Sequence, residues 1–306
     1  MSTFEAETPT DEYLPSPCDG ISAIIQAREK PLDSFSVRRF LPHSECRKVG
    51  PFVFFDHMGP ADFKPGQGMD VRPHPHIGLA TVTYMFEGEM LHRDSLGHVQ
   101  AITPGAVNWM IAGKGIVHSE RTGDGPRARG QRMHGLQVWV ALPEEHEETE
   151  PGFFHYGSDE LPEIRQDDVI MKLVAGTAFS HKSPVKVFSP MFYLDVRMPA
   201  SSTVEVPQEF AERAIHVISG EVQISDRVVS AYSMAICRES ARVEITALQD
   251  TRLMMFGGAA IGDRIVWWNF VSSSKQRLEQ AKLDWKEDRF GKVPGETEFI
   301  PLPDKR

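Results

Sequence analysis

An all-β fold is predicted, with two tandem antiparallel barrels or jelly rolls and a short C-terminal helix. Three observations predict it: short alternating runs broken by turn residues, a degenerate internal repeat, and one capped helical segment near the end.

The alternating runs begin with Thr81 to Phe86, where Val82, Tyr84 and Phe86 alternate with Thr81, Thr83 and Met85, the period of a strand. Glu87-Gly88 closes that run. Further short runs follow at Met90 to Arg93, Val99 to Ile102 and Val107 to Ile111, separated by Ser95-Leu96-Gly97 and Thr103-Pro104-Gly105. Gly and Pro supply the dihedrals such turns require.

The repeat places Ala214 to Ile224 on Val82 to His92, with Gly220 on Gly88. In that register Val206 and Gln208 stand where the first copy has His74 and His76, and no histidine follows His216. The second copy is therefore expected to bind no metal. A length of 306 residues with 41% apolar content supports two cores. The expected division is 1–145, 146–275 and 276–306. The first boundary falls in Pro143 to Pro151, a proline-bracketed acidic run read as a solvated linker, with His146 exposed in it. Near the end, Ser274 is placed to cap a helix whose apolar positions Leu278, Ala281 and Trp285 follow helical spacing, with Gly291 beyond it. Val293 to Arg306 reads as an irregular tail.

A formal charge of −10 and the lack of a basic run with interleaved aromatics argue against direct nucleic-acid binding. No apolar stretch approaches a membrane span, and the acidic N-terminus does not read as a signal sequence, so a cytoplasmic protein is expected. Cys18, Cys46 and Cys237 are odd in number and lie outside any Cys-x-x-Cys pattern, as reduced thiols do. Nucleophile elbows, phosphate-binding loops and dinucleotide fingerprints are absent.

The chemistry sits in His74-Pro75-His76 and His118-Ser119-Glu120. On strands, positions i and i+2 share a face, so His74 and His76 project together, as do His118 and Glu120. Convergence of the pairs would give three imidazoles and one carboxylate, a set for iron, manganese, nickel, cobalt, copper or zinc rather than calcium or magnesium. Four ligands leave one or two positions open on a five- or six-coordinate ion, whereas tetrahedral zinc would be closed. His57 and His134 are candidates to support the ligands, and Gln137 to orient a ligand or substrate. His92 and His98 are read as packed or surface residues, Lys114 as a solvated turn lysine.

The His-x-His, the Glu-Gly and Pro-Gly turns and the later His resemble the two motifs of a cupin. The wording of Arg72-Pro-His-Pro-His76, Ala80-Thr-Val-Thr-Tyr84, His92-Arg-Asp-Ser-Leu-Gly97 and Trp109 to Glu120 is closer still to the pirin family. Phe55 to Pro60, His134 to Trp139, Phe256-Gly-Gly258 and Trp267-Trp-Asn-Phe270 extend the resemblance. It implies two tandem cupin barrels, the first binding Fe(II) through His74, His76, His118 and Glu120 and the second without metal. It further implies dioxygenase action on flavonols such as quercetin: dioxygen adds across the heterocyclic ring, carbon monoxide is lost, and Glu120 takes the flavonol hydroxyl proton. The other role implied is a redox-responsive regulator that binds transcription factors or metabolic enzymes. A monomer is expected. One departure is that many relatives carry Arg and Glu where this chain has Ile77 and Ala80, which makes the metal's surroundings more apolar.

Overall fold

In the computed structural model, which describes residues 20–32, 35–239 and 241–303, strands dominate and pair antiparallel into two β-sandwich barrels. The first joins a seven-stranded sheet to a four-stranded one, and the second an eight-stranded sheet to another four-stranded one. The predicted runs appear as strands Leu79–Glu87, Met90–Asp94, Val99–Ile102 and Val107–Ile111. The aligned glycines of the repeat, Gly88 and Gly220, both end a strand with positive φ, +77° and +84°. That left-handed conformation suits glycine.

Two strands cross the division expected at residue 145. Ile21–Gln26, from the start of the described chain, pairs with Ser233–Cys237 in the second barrel's large sheet. Gly152–Tyr156, beyond the acidic run, pairs with Val107–Ile111 in the first. The two hold corresponding edge positions, so each barrel borrows the strand that completes its sheet.

The large sheets face one another. Ala80, Val82, Tyr84 and Phe86 point outward from the first barrel into a core shared with Met191, Tyr193, Met254 and Phe256 of the second. The alternation at Thr81 to Phe86 reads as a half-buried strand, yet Leu79 to Phe86 is buried on both faces because a second barrel covers the outer one. Phe52, Phe55 and Phe256 are sealed there, each contributing about 1.5–3 kcal/mol through burial.

Inside, the barrels differ. The second has one continuous apolar core. The first has two apolar clusters, one around Met85 and Met133 and one around Leu79 and Trp139. Thr83 and Gln137 sit between them on the same two strands, so a polar layer crosses the barrel at mid-height.

The acidic run is not simply solvated. Glu147 is buried, its carboxylate 2.8 Å from Arg264 Nε and accepting from Ser272 Oγ at 2.9 Å and Ser273 N at 2.9 Å. One acid in the run is thus an internal anchor for the segment after residue 263. His146 is half-buried, its ring 4.8 Å from Phe188.

The helix spans Lys275–Lys286, with the Ser274 hydroxyl accepting from Arg277 N at 3.3 Å and Leu278 and Ala281 buried. A second helix, Asp124–Arg129, was not expected. No helix of the described residues is long and apolar enough to cross a membrane. Cys46 and Cys237 are free thiols, and burial pushes Cys237 up to about 12. Cys18 lies outside the described residues.

Candidate metal centre

The two histidine-bearing segments lie side by side in one four-stranded sheet, as strands Asp70–His76 and Ile116–Arg121. In their antiparallel register His118 stands opposite His74, and Ile116 opposite His76. Asp70–His76 is the edge strand, where Pro73 and Pro75 break no ladder. One donor atom from each of His74, His76 and His118 lies within 4.8 Å of the others, and all three rings are buried. This is the only such group among the described residues.

Hydrogen bonds decide which nitrogens face inward. Nδ1 of His74 donates to the Arg72 carbonyl at 2.8 Å, and Nδ1 of His76 to the Asn269 carbonyl at 3.0 Å. A carbonyl only accepts, so in each neutral ring Nε2 is the bare lone pair. Nε2 of His118 is buried with no hydrogen-bond partner. Such an orphaned atom is costly unless something absent from the protein pairs with it. Burial holds His74 down to about 4, and His76 and His118 well below the ordinary imidazole value. Neutral imidazole is the metal-binding form, so the residues present fit a divalent transition metal.

Glu120 is buried but falls outside that three-residue group. Its carboxylate reaches across the barrel to Thr83 Oγ1 at 3.3 Å and to the Gln137 side chain. The Thr83 hydroxyl is 2.8 Å from Gln137 Oε1, so the three form one polar cluster in the mid-barrel layer. Burial pushes Glu120 up to about 7, against the opposing pull of those hydrogen bonds. Gln137, read as a possible orienting group, is placed beside Glu120.

The supporting residues differ from those expected. His57 and His134 do not touch the triad. They hydrogen-bond to each other at 2.6 Å and, through His57, to His216 of the second barrel at 2.9 Å. His92 is the histidine that meets the triad, with Nδ1 3.4 Å from Nδ1 of His118. Its signal was the His92-x-Asp94 pair on the adjacent strand. Lys114 is exposed and pairs with Glu150 at 2.5 Å.

Asn269 comes from far along the chain. The hairpin Ile265–Trp267 and Phe270–Ser272 folds back onto the first barrel, where Val271 N donates to the Ile77 carbonyl at 3.2 Å. Ile77 packs with Phe270, Leu278 and Ala281, while Ala80 lies in the core between the barrels. Ile77 and Ala80 thus both serve apolar packing.

Gly78 permits this docking, since its φ is +67° and a Cβ there would lie 2.0 Å from the Val271 carbonyl oxygen. Gly78→Ala is expected to lower stability by about 2 kcal/mol or more, from backbone strain and displacement of the hairpin. Urea unfolding measures it; a loss below about 0.5 kcal/mol would show that the contact relaxes freely.

Comparison with known proteins agrees with this architecture. The profile of the Pirin family matches residues 34–140, and that of the Pirin C-terminal cupin domain matches residues 193–291. The chain belongs to the pirin family. A pirin-like protein of Caulobacter vibrioides is 48% identical over 93% of this chain and 100% of its own. A crystal structure of quercetin 2,3-dioxygenase from Acinetobacter baumannii superposes with a TM-score of 0.86 at 31% identity, covering 93% of this chain and 95% of that one. A second from the same organism gives 0.84 at 26% identity, covering 90% and 99%. Both barrels of this pirin are thus cupins, and the histidine cluster lies in the N-terminal one.

Proposed function

We propose that this pirin is a metal-dependent dioxygenase that opens the heterocyclic ring of flavonols such as quercetin, consuming dioxygen and releasing carbon monoxide. The observation that carries the metal is the buried, unpartnered Nε2 of His118, facing a triad whose other two rings have bare Nε2 atoms. Likeness to the two crystal structures of quercetin 2,3-dioxygenase supports the substrate class.

In this reading His74, His76 and His118 hold Fe(II), with Glu120 available as a fourth ligand. When bound, such an ion supplies Lewis-acid and one-electron chemistry. The protein's own contribution is at Glu120. Buried in the barrel beside the triad, the Glu120 carboxylate is placed to take the proton of a flavonol hydroxyl. Thr83 and Gln137 keep that carboxylate aimed into the barrel rather than free to rotate. The apolar clusters above and below the polar layer exclude bulk water from the reacting groups.

The test is elemental analysis of wild type beside His76→Ala, followed by oxygen uptake and carbon monoxide release with quercetin. Stoichiometric iron that disappears in the variant, with quercetin-dependent uptake, is expected. Glu120→Gln is expected to cut turnover by about 10²–10⁴-fold, the usual contribution of a general base. Iron without uptake would abandon the dioxygenase for the redox-responsive regulator, and absence of any metal would sink both.

A further inference from the structure

We propose that His92 and Asp94 form a positioning pair that dictates which nitrogen His118 presents to a metal. The inference deepens the metal-centre reading and rests on it for its consequence, though not for the tautomer itself.

The chain of constraints starts at a backbone turn. Asp94 is fully buried, and its Oδ1 accepts from the amides of Leu96 at 2.9 Å and His98 at 3.1 Å. Amide nitrogens only donate, so Oδ1 is fixed as an acceptor, and the ionised carboxylate, which carries no proton, accepts at Oδ2 as well. Oδ2 lies 3.0 Å from His92 Nε2 and 3.0 Å from His98 Nδ1. Nε2 of His92 must therefore carry the proton. A neutral His92 then has a bare Nδ1, which faces Nδ1 of His118 at 3.4 Å. Only one of those two nitrogens can hold the proton, so His118 donates. Its Nε2 is left as a lone pair, and that is the buried atom without a protein partner.

The pair is also held in place. Asp94 stands opposite His118 across the ladder, and Glu120 opposite His92. The His92 ring stacks on Phe153 at 4.2 Å with an interplanar angle of 16°. Phe153 lies on the strand that follows the acidic run. His74 and His76 take their tautomers from backbone carbonyls, which cannot change role. His118 alone in the triad depends on side chains, and it is therefore the ligand a point substitution can turn around. With the acceptor at position 92 removed, the Nε2–H form becomes open to His118, and an N–H then points where a metal would sit. Groups behind a ligating histidine are typically worth about 10–100-fold in metal affinity.

Two measurements test this. The first is long-range ¹H–¹⁵N NMR of the metal-free protein labelled at histidine nitrogens. His118 is expected to show a bare Nε2 and a protonated Nδ1; a proton on Nε2 overturns the proposal without any metal being present. The second is Co(II) titration of wild type, His92→Leu and His92→Gln, following affinity and the visible absorption band. His92→Leu is expected to bind about 10–100-fold more weakly with an altered band. His92→Gln, whose side-chain carbonyl restores an acceptor, is expected to recover most of both. Equal affinity and equal bands in all three overturn the proposal, as does a Gln variant no better than the Leu variant. Should His92→Leu fail to fold, the NMR result and the Gln variant's near-wild-type band decide. A folded wild type that has the bare Nε2 yet binds no Co(II) would instead remove the metal-centre reading and leave the tautomer standing.

Discussion

Acidification from neutrality to about pH 4 is expected to destabilise this pirin steeply, through a histidine chain outside the metal centre. His134, His57 and His216 are linked ring to ring at 2.6 and 2.9 Å, and His216 Nδ1 ends the chain on the Ser233 carbonyl at 3.1 Å. His57 and His134 belong to the first barrel and His216 to the second, so the chain crosses the shared core. Every bond is made with all three rings neutral: His216 donates to Ser233, His57 to His216, and His134 to His57. A second proton on either inner ring would set two N–H groups against one another. Burial lowers His216 to about 3 and His134 to about 4, and takes His57 well below the ordinary value. The guanidinium groups of Arg252, Arg132 and Arg38 depress His134 further, while the Glu87 carboxylate lies 3.8 Å from its Nδ1. Phe40, Phe55, Phe86 and Tyr232 supply the remaining walls.

The direction follows from proton counting. Between a folded value near 4 and an unfolded value near 6.5, the unfolded chain binds the proton that the folded chain refuses, so stability rises with pH across that window. It is fully present above about 6.5 and is lost as pH falls toward 4. Each such imidazole contributes a slope of up to about 1.4 kcal/mol per pH unit. Urea midpoints measured from pH 7.5 to 4 would show it. His134→Gln, whose amide still donates toward His57, should flatten the slope by roughly one such increment. An unchanged slope would place the acid sensitivity elsewhere, the metal-centre histidines being the first alternative.

What was legible in the sequence is what depends on neighbours along the chain. The strand at Thr81 to Phe86, the turn residues at Gly88 and Gly105, the Ser274 cap and the i, i+2 spacing of His74 and His76 are local, and each appears in the structure, although that strand is buried on both faces rather than one. The missed features are contacts made by distant segments. Nothing local says that Ile21–Gln26 completes the second barrel, or that a backbone carbonyl at Asn269 orients His76. A carbonyl carries no residue signature at all. His57 and His134 were drawn toward the metal because they are near it in sequence. Their rings instead face the shared core, where His216 provides an acceptor that the sequence places 159 positions from His57. Glu147 misled for a related reason: an acidic run reads as solvated, and one member is buried only because Arg264 and Ser272 arrive from beyond the second barrel.

Asp195→Ala is expected to cost about 3–5 kcal/mol, because it removes one partner of a buried ion pair and strands the other. Asp195 is 3% exposed in the second barrel, with Oδ1 2.9 Å from Arg252 Nε and Oδ2 2.6 Å from Arg252 Nη2. Tyr84 of the first barrel donates its hydroxyl to the same Oδ2 at 2.9 Å. The Arg252 guanidinium also lies 4.2 Å above the ring of Phe86, again from the first barrel. One carboxylate thus organises an arginine and a tyrosine at the seam between the cupins. Its loss leaves a guanidinium largely shielded from water and a buried phenol without its acceptor. Tyr84→Phe removes only the hydrogen bond across the seam and should cost less, about 1.5–3 kcal/mol, the range for a bond to a charged acceptor. The double variant should fall short of the sum of the two, since both delete the same bond. Urea unfolding of the four proteins completes the cycle. Strict additivity would mean that the Tyr84–Asp195 contact couples the barrels no more than any other packed pair.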